Sequence, residues 1–448
     1  MKQTTKKGLW PCLLLAAVTA LPTSAQTAGD SITLTLDKAV EIALSDNPTV
    51  QVAEQQIEIQ KYAKKETIVG LFPTVSVSGT ASDAIVQQKM KLSFSPEPIT
   101  MGQQYTYALN GTVALPLVAP QLWKSIHLGD EQVALAVEAA RASKVETISQ
   151  VKEAFYSVML ARESVEALQA SMKTAEENAA ETQKKYELGA VSEYDKLTAD
   201  VQVSLLKPQL LSAQNGVKLA EMQLKVLMGM DVDQPVRFEG RLADYEESLF
   251  RDLLVLKADT SLADNSALRQ MDIQRRQLLL AEKINRLGYI PTLALAFTTG
   301  YQAFASEFNP FDATYFGNAT VALSLSWTLF DGGAKYLKTR QNRLQLENLD
   351  MQRENVERQL ELAISSSLNN IETAAEQVVS NKQNVYSAQR AFDISRKRYD
   401  VGSGTMLELN SSETQLLSAR LQYVQSIYNF LSSRAQLEAT LGHLVTDK

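Results

Sequence analysis

The chain has 448 residues, with 44 Lys and Arg against 51 Asp and Glu and a formal net charge of −7, a balance that speaks against binding nucleic acid or another polyanion. One cysteine cannot make a disulfide framework, and neither His127 nor His443 has Cys or paired carboxylates at ligand spacing, so each reads as an ordinary surface or packing residue. No phosphate loop, nucleophile elbow or zinc motif occurs, so the expectation is a protein without catalysis, metal or cofactor.

Residues 1–25 read as a secretory signal peptide. Lys2, Lys6 and Lys7 precede an apolar run from Leu13 to Leu21 that is too short to span a bilayer, and Thr23-Ser24-Ala25 offers small residues for cleavage. Losing those three lysines takes the formal net charge from −7 to −10. Cys12 lies inside this segment with no apolar run ahead of it, so the expected mature chain has no thiol and no lipid-anchoring cysteine.

The remaining sequence says the same thing twice, which predicts a first repeat over 26–235 and a second over 236–448. Each begins with a helical pattern, about 36–70 and about 249–288, closed by Leu71-Phe72-Pro73 and Tyr289-Ile290-Pro291. Asp46-Asn47 and Asp264-Asn265 stand at matching places. Period-two alternation follows, with Val75 and Val77 in the first copy and Leu293, Leu295 and Phe297 in the second. Return strands run through Tyr105, Tyr107, Leu109, Val113, Leu115 and Leu117, and through Ala319, Val321, Leu323, Leu325, Trp327 and Leu329. Pro120 and Asp331-Gly332-Gly333 bound them. Each repeat is therefore expected to hold one hairpin of long strands, joined by a loop at about 83–104 or about 302–315.

Two helices of about 68 residues come next, 121–188 and 334–401, with no proline and only Gly129 as a glycine. At 1.5 Å per residue each is roughly 100 Å long. Their apolar and small residues step by three and four, from Val151 through Val158 and Leu168 to Thr182 and Tyr186, and from Ile364 through Ile371 and Asn381 to Ser395 and Tyr399 in the same register.

A tight turn ends each long helix. Gly189 and Gly402 sit where a helix C-terminus favours positive φ, and Ser192 with Asp195, like Thr405 with Glu408, has capping-box spacing for a new helix. Return helices follow at about 193–228 and 407–441. They match only part of the long helices' length, so the two lead-in helices are expected to stack end to end with them. Residues 231–247, rich in charge and containing Pro235, read as the connection between repeats.

The fold class is thus mainly α with membrane β. Four strands of about ten residues suit a membrane crossing but cannot close a barrel, and an open edge in lipid leaves backbone donors unpaired, so other copies must supply strands. Pattern alone leaves open a soluble sandwich of two hairpins against a helical rod.

The duplicated order of elements, the Asn47-Pro48 pair, the Leu329-Phe330-Asp331-Gly332-Gly333 strand exit and the paired Tyr-x-x-Gly tips resemble the TolC-type outer membrane efflux proteins. Copy one departs from the strand-exit motif with Leu117-Val118-Ala119-Pro120. The resemblance implies a homotrimer in the outer membrane of a Gram-negative bacterium, with a twelve-stranded barrel in lipid continuous with a twelve-helix tunnel in the periplasm. It implies passive conduction, driven by an inner-membrane pump reached through a periplasmic adaptor (membrane fusion) protein. The adaptor would dock on the hairpin tips, here Leu188, Gly189 and Ala190 with Val401, Gly402 and Ser403. In the family the tips also form a gate. Tyr399 and Asp195 match one polar link and Glu408 one acidic ring position, while Gly404, Tyr194 and Ser411 replace a basic, a hydroxyl and an acidic partner. Asp195 and Glu408 are also the third residues of their capping boxes, which suffices to explain them. The expected function is the exit duct of a tripartite efflux system. A type I protein secretion duct and a non-conducting periplasmic coiled-coil scaffold are the alternatives.

Overall fold

The computed structural model describes residues 32–90, 99–246 and 261–443. The signal-peptide reading lies outside them. After a short strand β1 (Ile32–Leu34), the lead-in forms two helices where the sequence predicted one, α1 (Leu36–Asp46) and α2 (Pro48–Val69). The break is chemical. Pro48 disfavours helical backbone at Asn47, which stands extended at ψ 123°, and the Asn47 side chain then accepts from the amides of Thr49 and Val50 at 2.7 and 3.3 Å to start α2. In the second copy Asn265 does the same for α5 (Ser266–Leu287), accepting from Ala267 and Leu268 at 3.0 and 3.1 Å. The predicted start of that lead-in near 249 falls outside the described residues.

Four long strands, β2 (Thr74–Asp83), β5 (Tyr105–Val118), β7 (Thr292–Ala305) and β8 (Tyr315–Ser326), form one antiparallel sheet in the order β2-β5-β7-β8. Both predicted hairpins are present, and the β5–β7 pairing joins them edge to edge. They are therefore not stacked as a sandwich. The first hairpin's loop carries a smaller one, β3 (Gln88–Met90) with β4 (Ile99–Met101), whose three-residue strands are too short to show a period.

The long helices are α3 (Pro120–Glu187) and α6 (Ala334–Asp400), and the returns are α4 (Glu193–Leu227) and α7 (Met406–Leu441). Pro120 occupies the first turn of α3, where its missing N–H costs nothing. At the start of α6 the Asp331 carboxylate accepts from the amides of Gly333 and Lys335 at 3.2 and 3.0 Å. The heptad positions Val151, Val158, Leu168 and Thr182, and Ile364, Ile371 and Phe392, are buried. With Phe155, Ile427, Phe430 and Leu431 several of them build the core where α3, α6 and α7 meet, and each fully buried large side chain contributes about 1.5–3 kcal/mol.

The returns and lead-ins stack end to end, as their lengths required. Asn47 Nδ2 donates to the Leu227 carbonyl at 2.6 Å, so α2 continues from α4, and Asn265 Nδ2 donates to the Thr440 carbonyl at 2.7 Å, so α5 continues from α7. Each asparagine is at once a cap and a joint. The described part of the predicted connection, 231–246, does more than connect. Its strand β6 (Val236–Phe238) pairs in parallel with β1, and the chain then crosses the long helices as a strap. Arg162 donates to the Phe238 carbonyl at 2.8 Å, the Leu242 amide donates to Glu163 at 2.6 Å, and Glu246 meets both Lys382 and Tyr423 at 2.8 Å. The strap is held on α3 through its backbone, by Arg162 and Glu163, and on α6 and α7 through the Glu246 carboxylate.

Candidate functional site

The sheet sets its residues in register by polarity. One row across it is Val75, Val113, Phe297 and Val321, and the adjacent row on the other face is Ser76, Thr112, Thr298 and Thr320, where the Thr112 and Thr298 hydroxyls lie 3.3 Å apart. The apolar face is open. Val75, Val77, Leu323 and Leu325 are exposed, and Val321 is 69% exposed. A contiguous apolar face of this kind is a surface awaiting lipid or protein. In the four long strands the only charged side chain is Asp83, at the end of β2 far from the helices.

Aromatic residues mark both ends of that face. Tyr107 packs against Phe308 at one end beside Tyr301 and Tyr315, while Phe72, Tyr289, Trp327 and Phe330 stand at the other, with Trp327 Nε1 donating to the Tyr289 carbonyl at 3.0 Å. The 12 residues of β8 cover about 30 Å of height at 3.3 Å per residue and ~40° tilt, close to the ~25 Å apolar band with its aromatic flanks that barrels present to a bilayer. Among the described residues no helix is long and apolar enough to cross a membrane. β2 and β8 are the sheet's outer strands, each with one edge unpaired. Buried in lipid, those edges demand further strands.

At the opposite end the two helical hairpins turn in the same way. Gly189 and Gly402 have φ of 72° and 74°. The amides of Ala190 and Ser403 bond back to the carbonyls of Lys185 and Arg398 at 2.8 and 2.9 Å, which closes each long helix. Both capping boxes are formed, Ser192 with Asp195 and Thr405 with Glu408. No atom lies within 4 Å of where a Cβ would stand on either glycine, and Leu188 and Val401 are 84% and 77% exposed beside them.

The other sequence-predicted residues are distributed unevenly. The Tyr399 hydroxyl lies 3.1 Å from that of Thr182 on α3, and the Lys185 ammonium sits 4.9 Å from the Tyr399 ring and 3.8 Å from Asp400. These bonds tie one hairpin to the other. Asp195 bonds the Ser192 hydroxyl at 2.7 Å, and no hydrogen bond joins it to Tyr399 among the described residues. Glu408 lies 3.6 Å from the guanidinium of Arg398, which also donates to the Ser403 carbonyl at 3.2 Å. Sequence reasoning missed Lys185 and Arg398 and saw Thr182 only as a core position. A Cβ at Gly404 would stand 3.1 Å from the Arg398 Cβ and 3.2 Å from the Tyr399 amide nitrogen, so the glycine fits the end of α6, and nothing in the sequence singled out Arg398.

With this geometry in view, the sequence profile of the outer membrane efflux proteins matches residues 39–230 and 258–443. The outer membrane protein TolC of Escherichia coli (strain K12) is 22% identical over 443 residues, covering 90% of this chain and 85% of that one. The alkaline protease secretion protein AprF of Pseudomonas aeruginosa is 24% identical over 430 residues, covering 93% and 86%. Among solved structures, the Campylobacter jejuni CmeC outer membrane channel superposes with a TM-score of 0.71 at 15% identity, covering 91% of this chain and 85% of that one. The VceC outer membrane protein of Vibrio cholerae gives 0.69 at 16%, covering 91% and 96%. The structural likenesses establish the fold.

Proposed function

The chain belongs to the outer membrane efflux protein family, and on that premise we propose that it is a passive exit duct of the outer membrane, working as a homotrimer. One observation carries the reading. The sheet has an apolar face, a polar face and two open edges, and three copies placed edge to edge make a twelve-stranded barrel with the apolar face to lipid and a hydroxyl- and amide-lined interior. Apolar rows left exposed on α4 (Leu197, Val201, Leu205) and α6 (Val379, Tyr386, Ile394) fit the contact of one protomer's helices with the next, extending the wall into a tunnel. The purified protein in detergent is expected to have three times the mass of the mature chain and to resist dissociation. A stable monomer that conducts ions contradicts this.

The tips serve two purposes in this reading. Leu188, Gly189 and Ala190 with Val401, Gly402 and Ser403 receive a periplasmic adaptor, which links the duct to an inner-membrane pump. The exposed apolar apices and the room beside the glycines support close approach of another backbone. The resting gate is held by the links Thr182–Tyr399 and Lys185–Asp400 between the hairpins, Asp195 and Glu408 add negative charge at the tips, and Arg398 supplies a base beside Glu408 where position 404 has none. Export of small molecules and of polypeptides are both compatible with this duct, and the likeness to a protease secretion protein keeps the second in play.

Two variants test the gate. Tyr399→Phe removes one hydroxyl link worth about 1 kcal/mol per copy, so three copies opening together shift the equilibrium by roughly a hundredfold, read as a rise in resting conductance. Glu408→Gln keeps a side chain able to accept the capping bond but removes the charge. Cation selectivity is expected to fall while thermal stability holds, because charge focusing in a narrow passage needs the carboxylate and the cap does not. Unchanged selectivity with a destabilised hairpin leaves Glu408 as a cap alone.

A further inference from the structure

Away from the tips, α3, α6 and α7 form a half-open cleft of about 220 Å³ lined by Ala167, Ser171, Thr174, Gln389, Glu413 and Arg420 among others. Glu413 of α7 is only 3% exposed. One of its oxygens accepts from the Ser171 hydroxyl of α3 at 3.0 Å, and the other, Oε2, is buried with no hydrogen-bond partner. An ionised carboxylate with a bare buried oxygen is costly, whereas the neutral acid loses far less on leaving water. On the same face of α3, one heptad from Ser171, Asn178 Nδ2 is also buried without a partner. An unsatisfied oxygen on α7 and an unsatisfied nitrogen on α3 mark helices that gain hydrogen bonds when they part and water enters.

Few charges face Glu413. From α6 the charge acting on it is Arg396, on its own helix Arg420 is turned to the Gln389 side-chain oxygen at 2.8 Å, and α3 brings only uncharged side chains to the cleft. Burial therefore dominates, outweighing the Ser171 bond and Arg396, and holds the Glu413 carboxyl above the usual carboxylate range.

We propose that Glu413 is a proton-binding site that sets how readily α7 separates from α3, protonated in the closed seam and ionised in the open, hydrated one. The inference rests on the tips being a gate and names its regulation. Because the closed seam holds the proton more tightly, its stability is complete at low pH and declines as pH rises above 4.5, the ordinary value, through the raised range. Each pH unit of tighter binding amounts to about a tenfold change in opening per chain.

Two measurements on the purified full-length protein test this. In planar bilayers between pH 5 and pH 8, wild-type opening is expected to rise with pH. Glu413→Gln, which can still accept from Ser171 but never ionises, flattens that rise, and Ser171→Ala moves its midpoint upward by removing a bond to the ionised form. A Glu413→Gln protein with the wild-type pH profile overturns the proposal. Infrared spectra decide independently of conduction. A protonated-carboxyl band persisting above pH 4.5 and missing from Glu413→Gln supports the site, and no such difference overturns it, even should the protein pass no current.

Discussion

Arginine in place of Val321 should keep this protein out of the outer membrane, whereas arginine at the neighbouring Thr320 should leave it there. The two residues are adjacent on β8 but point to opposite faces, Val321 in the row with Phe297 and Val113 and Thr320 in the row with Thr298 and Thr112. In the barrel proposed here the first row meets hydrocarbon and the second meets water. A cationic side chain at mid-bilayer on the lipid face costs about 2–4 kcal/mol, hence roughly 6–12 kcal/mol over three copies, while on the lumen side it remains hydrated. The check is the share of each variant found in outer-membrane fractions and the share that is heat-stable as a trimer. Equal insertion of both variants contradicts the assignment of faces.

Valine at Gly229 should be far more damaging than valine at Gly189, although both glycines have φ near 72°. Left-handed backbone costs a residue with a Cβ about 1–2 kcal/mol at either site. Space separates them. At Gly189 nothing stands within 4 Å of the added carbon, whereas at Gly229 it overlaps the Asp46 carbonyl at the joint between α4 and α2. Relieving that overlap moves the joint and adds strain of about 1–3 kcal/mol, with the Asn47 bond to Leu227 at risk as well. Gly189→Val is therefore expected to lower the denaturant midpoint slightly and weaken adaptor binding. Gly229→Val is expected to lose about 3–5 kcal/mol and with it most of the assembled protein. Similar losses in both would show that backbone conformation alone decides.

These contrasts mark how far the sequence could be read. The long helices, their heptad face, the positive-φ glycines and both capping boxes are local patterns, carried by spacing of a few residues and repeated in each copy, and they appear in the structure within a residue or two of expectation. The end-to-end stacking followed from length alone. What stayed hidden depends on partners distant in sequence. The strap at 236–246 looked like linker because nothing local shows that Arg162 and Glu163 hold its backbone or that Lys382 and Tyr423 meet Glu246. The lead-in break at Asn47 was hidden by a helical pattern on both sides of it. At the tips, spacing gave Tyr399 a heptad position and Asp195 and Glu408 capping positions, and the family resemblance pointed to them as a gate, but neither could show that Thr182 and Lys185 of the other hairpin are the groups Tyr399 and Asp400 meet, nor that Arg398 reaches Glu408.

The central claim, a conducting duct through the outer membrane built from shared sheets, is tested most directly by single-channel recording of the detergent-purified protein in planar lipid bilayers. The account predicts discrete, reproducible current steps from a particle of three chains, small at rest and enlarged by Tyr399→Phe. A protein that leaves the cell envelope without detergent, stays in aqueous solution and passes no current in wild-type or Tyr399→Phe form contradicts it, and such a result would favour a periplasmic scaffold.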